Sequence, residues 1–319
     1  MHKLIIIITA CVFILVVSLT YSILAARDRE TFDDSGAKTY VTCFAGRQQY
    51  LEILFRYIKV LHDRGLIHEF HAWNFTCDPN DEVWLQNHVL NEEPWFVVKH
   101  VNNKSSWSEY YAYYYDLRDT WNALDVLIKL DDDIVFIDVN AFPGFVDFRR
   151  RNHDCVLAFP SIINNDACAV YQFMYGLHPF DNIAKIGRTY DDDDAPLWKD
   201  GHIAFSLHEH FVQNMDDLCW TSMNIHDRKI IHMMGLRFSI NFFAVLGQDL
   251  YVFKQLAESY DFLDDELNLT VDLCRAEKKQ HYVDMHMLVA HAWFHWQRES
   301  GVDESRLLDM YTQLADRIL

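Results

Sequence analysis

The stretch VLIKLDDDIVFID, Val126 to Asp138, decides how this chain is read, because it sets three consecutive aspartates between two apolar runs. Val126-Leu127-Ile128-Lys129-Leu130 has the composition of a buried strand, and Ile134-Val135-Phe136-Ile137 is apolar again. A surface turn is rarely framed on both sides. Asp131, Asp132 and Asp133 are therefore expected where the strand emerges from a sheet. Three adjacent carboxylates repel one another by about 1 kcal/mol per close pair even in water-like surroundings, so something must offset them. A hard divalent cation such as Mn2+ or Mg2+ does so with oxygen ligands and keeps positions open for phosphate oxygens. Alternation lets Asp131 and Asp133 face one side while Asp132 turns away toward backbone donors.

Upstream of this stretch the pattern alternates. Tyr40–Cys43, Glu69–Trp73 and Trp95–Val101 are β-prone, and helices are expected at Gln48–Arg64, Asp81–Leu90 and Trp107–Trp121. The alternation predicts an α/β fold with a largely parallel sheet covered on both faces, and ligands at the carboxyl ends of its strands. Downstream, Val156–Pro160 reads as a further strand, Ser161–Gly201 as a long loop region beside an acceptor, and Arg237–Ala244 as strand again, with Asn241 a polar contact at the sheet edge. Asp191–Asp194 is a second acidic run, but no strand precedes it and it reads as an exposed turn. The last residues, 303–319, form an amphipathic packing helix.

The composition agrees with one large folded unit. Half of the 319 residues are hydrophobic, and the net charge of -19 argues against a surface built for nucleic acid phosphates. Leu4 to Ala26 carries no charge and is long enough, at about 34 Å, to cross a hydrocarbon core of about 30 Å. It reads as a membrane anchor rather than a signal peptide cleaved after Ala25 and Ala26, because its apolar part is too long for the latter. With Lys3 before it and Arg27 and Arg29 after it, the Lys/Arg count does not support a lumenal C-terminus. Asn74, Asn103 and Asn268 begin glycosylation triplets, and six cysteines beyond the span are compatible with disulfides or with free core thiols.

An apolar strand ending in D-x-D, in an α/β domain behind one N-terminal apolar span, resembles the GT-A-fold glycosyltransferases that use nucleotide sugars. The likeness runs from Tyr40 to Gln297 as an ordered series of features. It implies a Rossmann-like, three-layer α/β/α sandwich around a mostly parallel, mixed sheet. It further implies a tail at 1–3, a signal-anchor at 4–26, a stem at 27–38 and one catalytic domain at 39–319, in a type II protein whose domain is lumenal in the Golgi or endoplasmic reticulum. By the same resemblance the partners are a nucleotide-diphosphate sugar donor, a glycan or glycoconjugate acceptor, and the membrane through 4–26. Asp131 would contact the ribose or share the Mn2+ or Mg2+ ion, Asp133 would bind it, and the loop Thr42–Arg47 would grip the nucleotide, with Thr42, Asp132 and above all Arg47 among its contacts. His291, in LVAHAWF, is similar in place to a histidine that completes metal coordination, though His281, His286 and His295 are nearby.

Asp264-Asp265-Glu266 resembles the acidic segment near the acceptor in inverting members of that group. An acceptor hydroxyl is a poor nucleophile, and a carboxylate in hydrogen-bond reach takes its proton as it attacks. Asp265 is the expected base and Glu266 the second choice, against the alternative that these acids only cap a helix. Two other readings compete. Asp131 and Asp133 also fit the D-x-D of haloacid-dehalogenase-like phosphatases, where the first aspartate is a nucleophile; a non-catalytic, membrane-tethered sugar-binding module would keep the fold without turnover.

Overall fold

Thr39–Ala45 forms strand β1, buried along most of its length, and the chain then enters helix α1 (Gln48–Asp63). Leu51, Leu54, Ile58 and Leu61 recur at helical spacing and face inward. Gly65, at φ +68°, ends this segment in a left-handed conformation open to glycine at little cost. There follow β2 (Glu69–Asn74), α2 (Pro79–Leu90), β3 (Phe96–His100), α3 (Ser108–Asp116) and β4 (Val126–Asp131). β1 pairs in parallel with β2 and with β4, and β3 adds in parallel to β2. In this computed structural model the described residues are 36–319 without 91–93, 105, 180–195, 233–235 and 260–263.

The second half departs from the expected parallel order. It contains β5 (Ile134–Ile137), α4 (Phe142–Arg151), β6 (Cys155–Ile163), α5 (Asp166–Met174), α6 (Gly201–Met223), β7 (Lys229–His232), β8 (Phe242–Leu246), β9 (Gln280–His291), α7 (His295–Glu299) and α8 (Glu304–Ile318). The strands lie in the order β3-β2-β1-β4-β8-β6-β9-β5, with β7 also paired to β9. β8 is antiparallel to both β4 and β6, β9 is parallel to β6, and β5 and β7 are antiparallel to β9. The chain reaches β8 beside the tip of β4, where the Asp131 amide donates to the Asn241 carbonyl, so β8 can only run back antiparallel. The result is an α/β fold with a mixed sheet and flanking helices. The Arg237–Ala244 strand is thus shorter and later than expected, at Phe242–Leu246. Part of the expected loop at Ser161–Gly201 is β6 and α5, and α6 has a 23-residue span capped by Asp200.

β9 positions the site. Its pairing with β6 steps from Pro160↔Asp284 to Ser161↔Leu288, leaving residues 285–287 out of register. Beyond that step its end turns to β5, and Ile134 pairs with His291.

The expected single-pass membrane placement is corrected: among the described residues no helix is long and apolar enough to cross a membrane. Residues 4–26, on which that expectation rested, lie outside the described residues, as does Asp191–Asp194. Of the glycosylation triplets, Asn74 and Asn268 are buried and hydrogen-bonded to Glu82 and Gln255, which leaves Asn103 as the exposed one. Cys43, Cys77, Cys155, Cys168, Cys219 and Cys274 are free thiols.

Candidate active site

A cavity of about 450 Å³ opens at the carboxyl tips of β1 and β4. Both strands deliver residues there because parallel neighbours end together. Phe44, Gly46 and Arg47 come from the β1 exit, and Asp131, Asp132 and Asp133 from the β4 exit. Asp132 turns to the β1 side as alternation required: its Oδ2 accepts from the Gly46 amide at 3.1 Å and from Arg47 Nε at 3.1 Å. Gly46 is small for a reason, since an added Cβ would lie 3.1 Å from that same Oδ2. Arg47 Nη2 also pairs with Asp132 Oδ1, and with Asp133 Oδ2 at 3.0 Å.

Asp133 is 3% exposed and accepts from three cationic or cation-forming groups. His291 Nε2 is 3.2 Å from Oδ1, and Arg298 Nη2 is 2.9 Å from Oδ2, the oxygen that Arg47 also meets. Burial by itself would raise the pKa of Asp133, but His291, Arg47 and Arg298 outweigh it and hold the carboxyl below the usual carboxylate range. Asp131 is met by Lys129, whose Nζ pairs with Oδ1, and by Asn241 Nδ2, which donates to Oδ2 at 3.0 Å. Lys129 is 2% exposed, a cation within an apolar strand. The alternation that aligns Asp131 with Asp133 aligns Lys129 with both, and that was the signal for it in the sequence. Asn241 sits at the sheet edge where the sequence placed a polar contact.

Asp131, Asp133 and His291 each present a ligand atom, and these atoms lie within 4.8 Å of one another. Two carboxylates and an imidazole suit a borderline-hard divalent ion such as Mn2+. His291 Nδ1 is buried without a hydrogen-bond partner, so the ring is not committed elsewhere through that nitrogen. The residues therefore fit a metal. The other histidines separate by location. His281 is buried against Cys274 and the Thr270 carbonyl, His286 meets the Ile225 carbonyl, and His295 pairs with Glu299 on the surface while edging the cavity.

Asp265 and Glu266 line the same cavity. They begin a helical turn, Asp265–Leu267, whose cap is Asp264, accepting from the Leu267 amide. Capping and cavity lining thus fall on different residues of one triplet. Asp265 Oδ2 accepts from the Tyr111 hydroxyl at 2.7 Å, and Oδ1 from the Glu266 amide at 3.0 Å. Burial raises the Asp265 pKa, against the lowering effect of Lys129 and of the Tyr111 hydrogen bond. Glu266 is bound by Arg237 Nε at 2.6 Å, yet burial pushes its carboxyl up to about 7. Phe44 stacks on Trp107 with ring centroids 4.8 Å apart and meets Phe75 edge-on, giving the cavity an aromatic wall. Thr42 does not reach the cavity: it is fully buried in β1 and its hydroxyl donates to the His71 carbonyl. Tyr111 and Arg298 carried no sequence signal, because nothing local marks a tyrosine in α3 or an arginine in α7 as a neighbour of residues 154 and 165 positions away.

No family model matches the sequence, and no curated protein matches it. Among solved structures, one similar chain is GalNAc-T7 with UDP, GalNAc and Mn2+, at a TM-score of 0.48 and 12% identity over 89% of this chain and 48% of that one. This chain therefore spans about half the length of that neighbour. Another is a CMP:2-keto-3-deoxy-manno-octonic acid synthetase complexed with CTP, at a TM-score of 0.41 and 14% identity over 89% of this chain and all of that one. At such scores neither neighbour decides the chemistry, which rests on the atoms of the site.

Proposed function

We propose that residues 39–319 form the catalytic domain of a metal-dependent glycosyltransferase that moves a sugar from a nucleotide-diphosphate sugar to a hydroxyl acceptor. The observation that carries this reading is that one cavity joins a metal-ligating Asp131-Asp133-His291 group to a separate carboxylate, Asp265, held by a neutral hydroxyl. Donor and acceptor chemistry need these two features at once. A bound Mn2+ or Mg2+ would supply positive charge for the two phosphates and so favour their departure. The protein's own residues do the rest. Arg47, held on Asp132 through Nε and Nη2, lines the cavity as a positive charge for a phosphate or base edge, Asp131 would contact the ribose, and the Phe44–Trp107 stack offers a face to a nucleobase. Asp265 takes the acceptor proton as the hydroxyl oxygen bonds to the anomeric carbon and the sugar's bond to the β-phosphate oxygen breaks, inverting the centre. Glu266, tied to Arg237, is the second candidate for that proton.

The phosphatase reading is disfavoured. Such an enzyme carries its nucleophilic aspartate on the first strand, whereas β4, which ends in Asp131, is the fourth strand along the chain. The discriminating experiment supplies a panel of nucleotide sugars with Mn2+ or EDTA and, separately, a phosphomonoester. Mn2+-dependent release of a nucleoside diphosphate supports the proposal. Release of inorganic phosphate from the monoester, or no Mn2+-dependent turnover with any donor, refutes it.

A further inference from the structure

The carboxylates at the tip of β4 are already balanced by the chain itself. Three acids, Asp131, Asp132 and Asp133, face three fixed cations, Lys129, Arg47 and Arg298. Counted over these six side chains alone, with Asp265 and Glu304 as further acids beside them, a divalent ion entering between Asp131 and Asp133 adds two positive charges, and a diphosphate diester carries two negative charges that offset them. Metal alone is opposed, phosphate alone finds its cations occupied, and the pair is accepted.

The cations are not equally free to change partners. Arg47 is anchored on Asp132 through two nitrogens and would stay there whatever happened at Asp133. Lys129 is buried and also donates to the Ile240 carbonyl at 2.9 Å. Arg298 differs from both. Its Nη2 bonds Asp133, its Nε has no hydrogen-bond partner and stands 3.7 Å from Glu304, and its side chain is 32% exposed at the cavity rim. We infer that Arg298 is a phosphate-binding residue stored on Asp133, which it yields to an incoming metal ion while turning its guanidinium to the pyrophosphate, so that the two ligands bind as a coupled pair. This rests on the metal and diphosphate reading above and adds to it the residue that links them. Arg298 would thus touch the leaving phosphates directly and take no part in moving the acceptor proton.

Calorimetric titration of the full chain tests it, comparing wild type with Arg298→Ala and Arg298→Lys. One series uses Mn2+ alone and the other inorganic pyrophosphate at fixed Mn2+; chelation in solution is common to all variants and cancels. Arg298→Ala should bind Mn2+ alone about fivefold more tightly than wild type, because a competing cation is gone, and pyrophosphate with Mn2+ about tenfold more weakly. Arg298→Lys keeps the charge but not the fork, so it should match wild type for Mn2+ alone and fall between the two for pyrophosphate. Opposite signs on the two ligands cannot come from simple loss of structure. Mn2+ affinity unchanged or weaker in Arg298→Ala, or pyrophosphate affinity unchanged, overturns the inference while leaving the metal site standing. A wild type that binds neither Mn2+ nor pyrophosphate overturns the glycosyltransferase reading itself, and this inference with it.

Discussion

Asp131-Asp132-Asp133 at the tip of β4 and Asp264-Asp265-Glu266 at the start of a helical turn are two acidic triplets that reach one cavity, yet their carboxylates are held by different chemistry. At β4 every acid faces a cation: Lys129, Arg47, Arg298. In the second triplet Arg237 takes the outer two, Asp264 and Glu266, and the middle one is left to a tyrosine hydroxyl. At Asp133 the surrounding cations outweigh burial and keep the carboxylate charged, whereas at Asp265 burial outweighs Lys129 and the Tyr111 hydroxyl and leaves it able to accept a proton. Asp133 is thus suited to hold charge, and Asp265 to move a proton.

The comparison breaks most readily at Asp133. Asp133→Asn leaves Arg47 and Arg298 facing a neutral amide, so it should abolish Mn2+ binding, cut transfer by at least about a thousandfold, and lower stability by about 3 kcal/mol. Titration calorimetry, a transfer assay and denaturant unfolding check the three in turn, and normal activity in this variant would remove the metal assignment. Next comes Asp265→Asn, expected to lower kcat about a hundredfold or more with donor affinity retained. Loss of donor binding there would show that Asp265 belongs to the charge-holding group instead. A smaller effect is expected from Tyr111→Phe. The lost hydrogen bond had favoured the charged carboxylate, so the acidic limb of the pH–rate profile should move to higher pH, with kcat down about tenfold at neutral pH. An unmoved limb would exclude Asp265 as the group that titrates.

Glu266 gives the smallest effect, and one seen in stability. Its pKa is raised from 4.5 to about 7, so its favourable contribution is complete below the unfolded value and is lost as pH rises through about 7. Between pH 5 and pH 8 the wild type should therefore lose stability relative to Glu266→Gln, by the order of 1 kcal/mol. Parallel melting curves for the two proteins would contradict this.

How much was legible depended on whether the signal was local. The helix at Gln48–Asp63 and the four strands of the parallel half were readable because their periodicities lie within single segments. The triplet at β4 was readable because apolar runs flank it. In the second half β5 and β7 are four residues each, too short to show a period, and the 12-residue β9 was masked by histidines that fit a helix or a strand. The Asp264 cap and the Asp265 cavity residue could not be told apart in sequence, since both are acids at a helix start.

The sequence by itself determined the α/β class and the place of Asp131 and Asp133 at a strand end, because these follow from patterning along the chain, whereas Asp265 and His291 entered as candidates only through a family resemblance. Tertiary structure alone decided that β8 runs antiparallel, that a register step in β9 brings His291 to Asp133, and that Arg298 and Tyr111 complete the two triplets. Charge balance and hydrogen bonding depend on distances in space, and residues more than a hundred positions apart carry no local mark of who their neighbours will be.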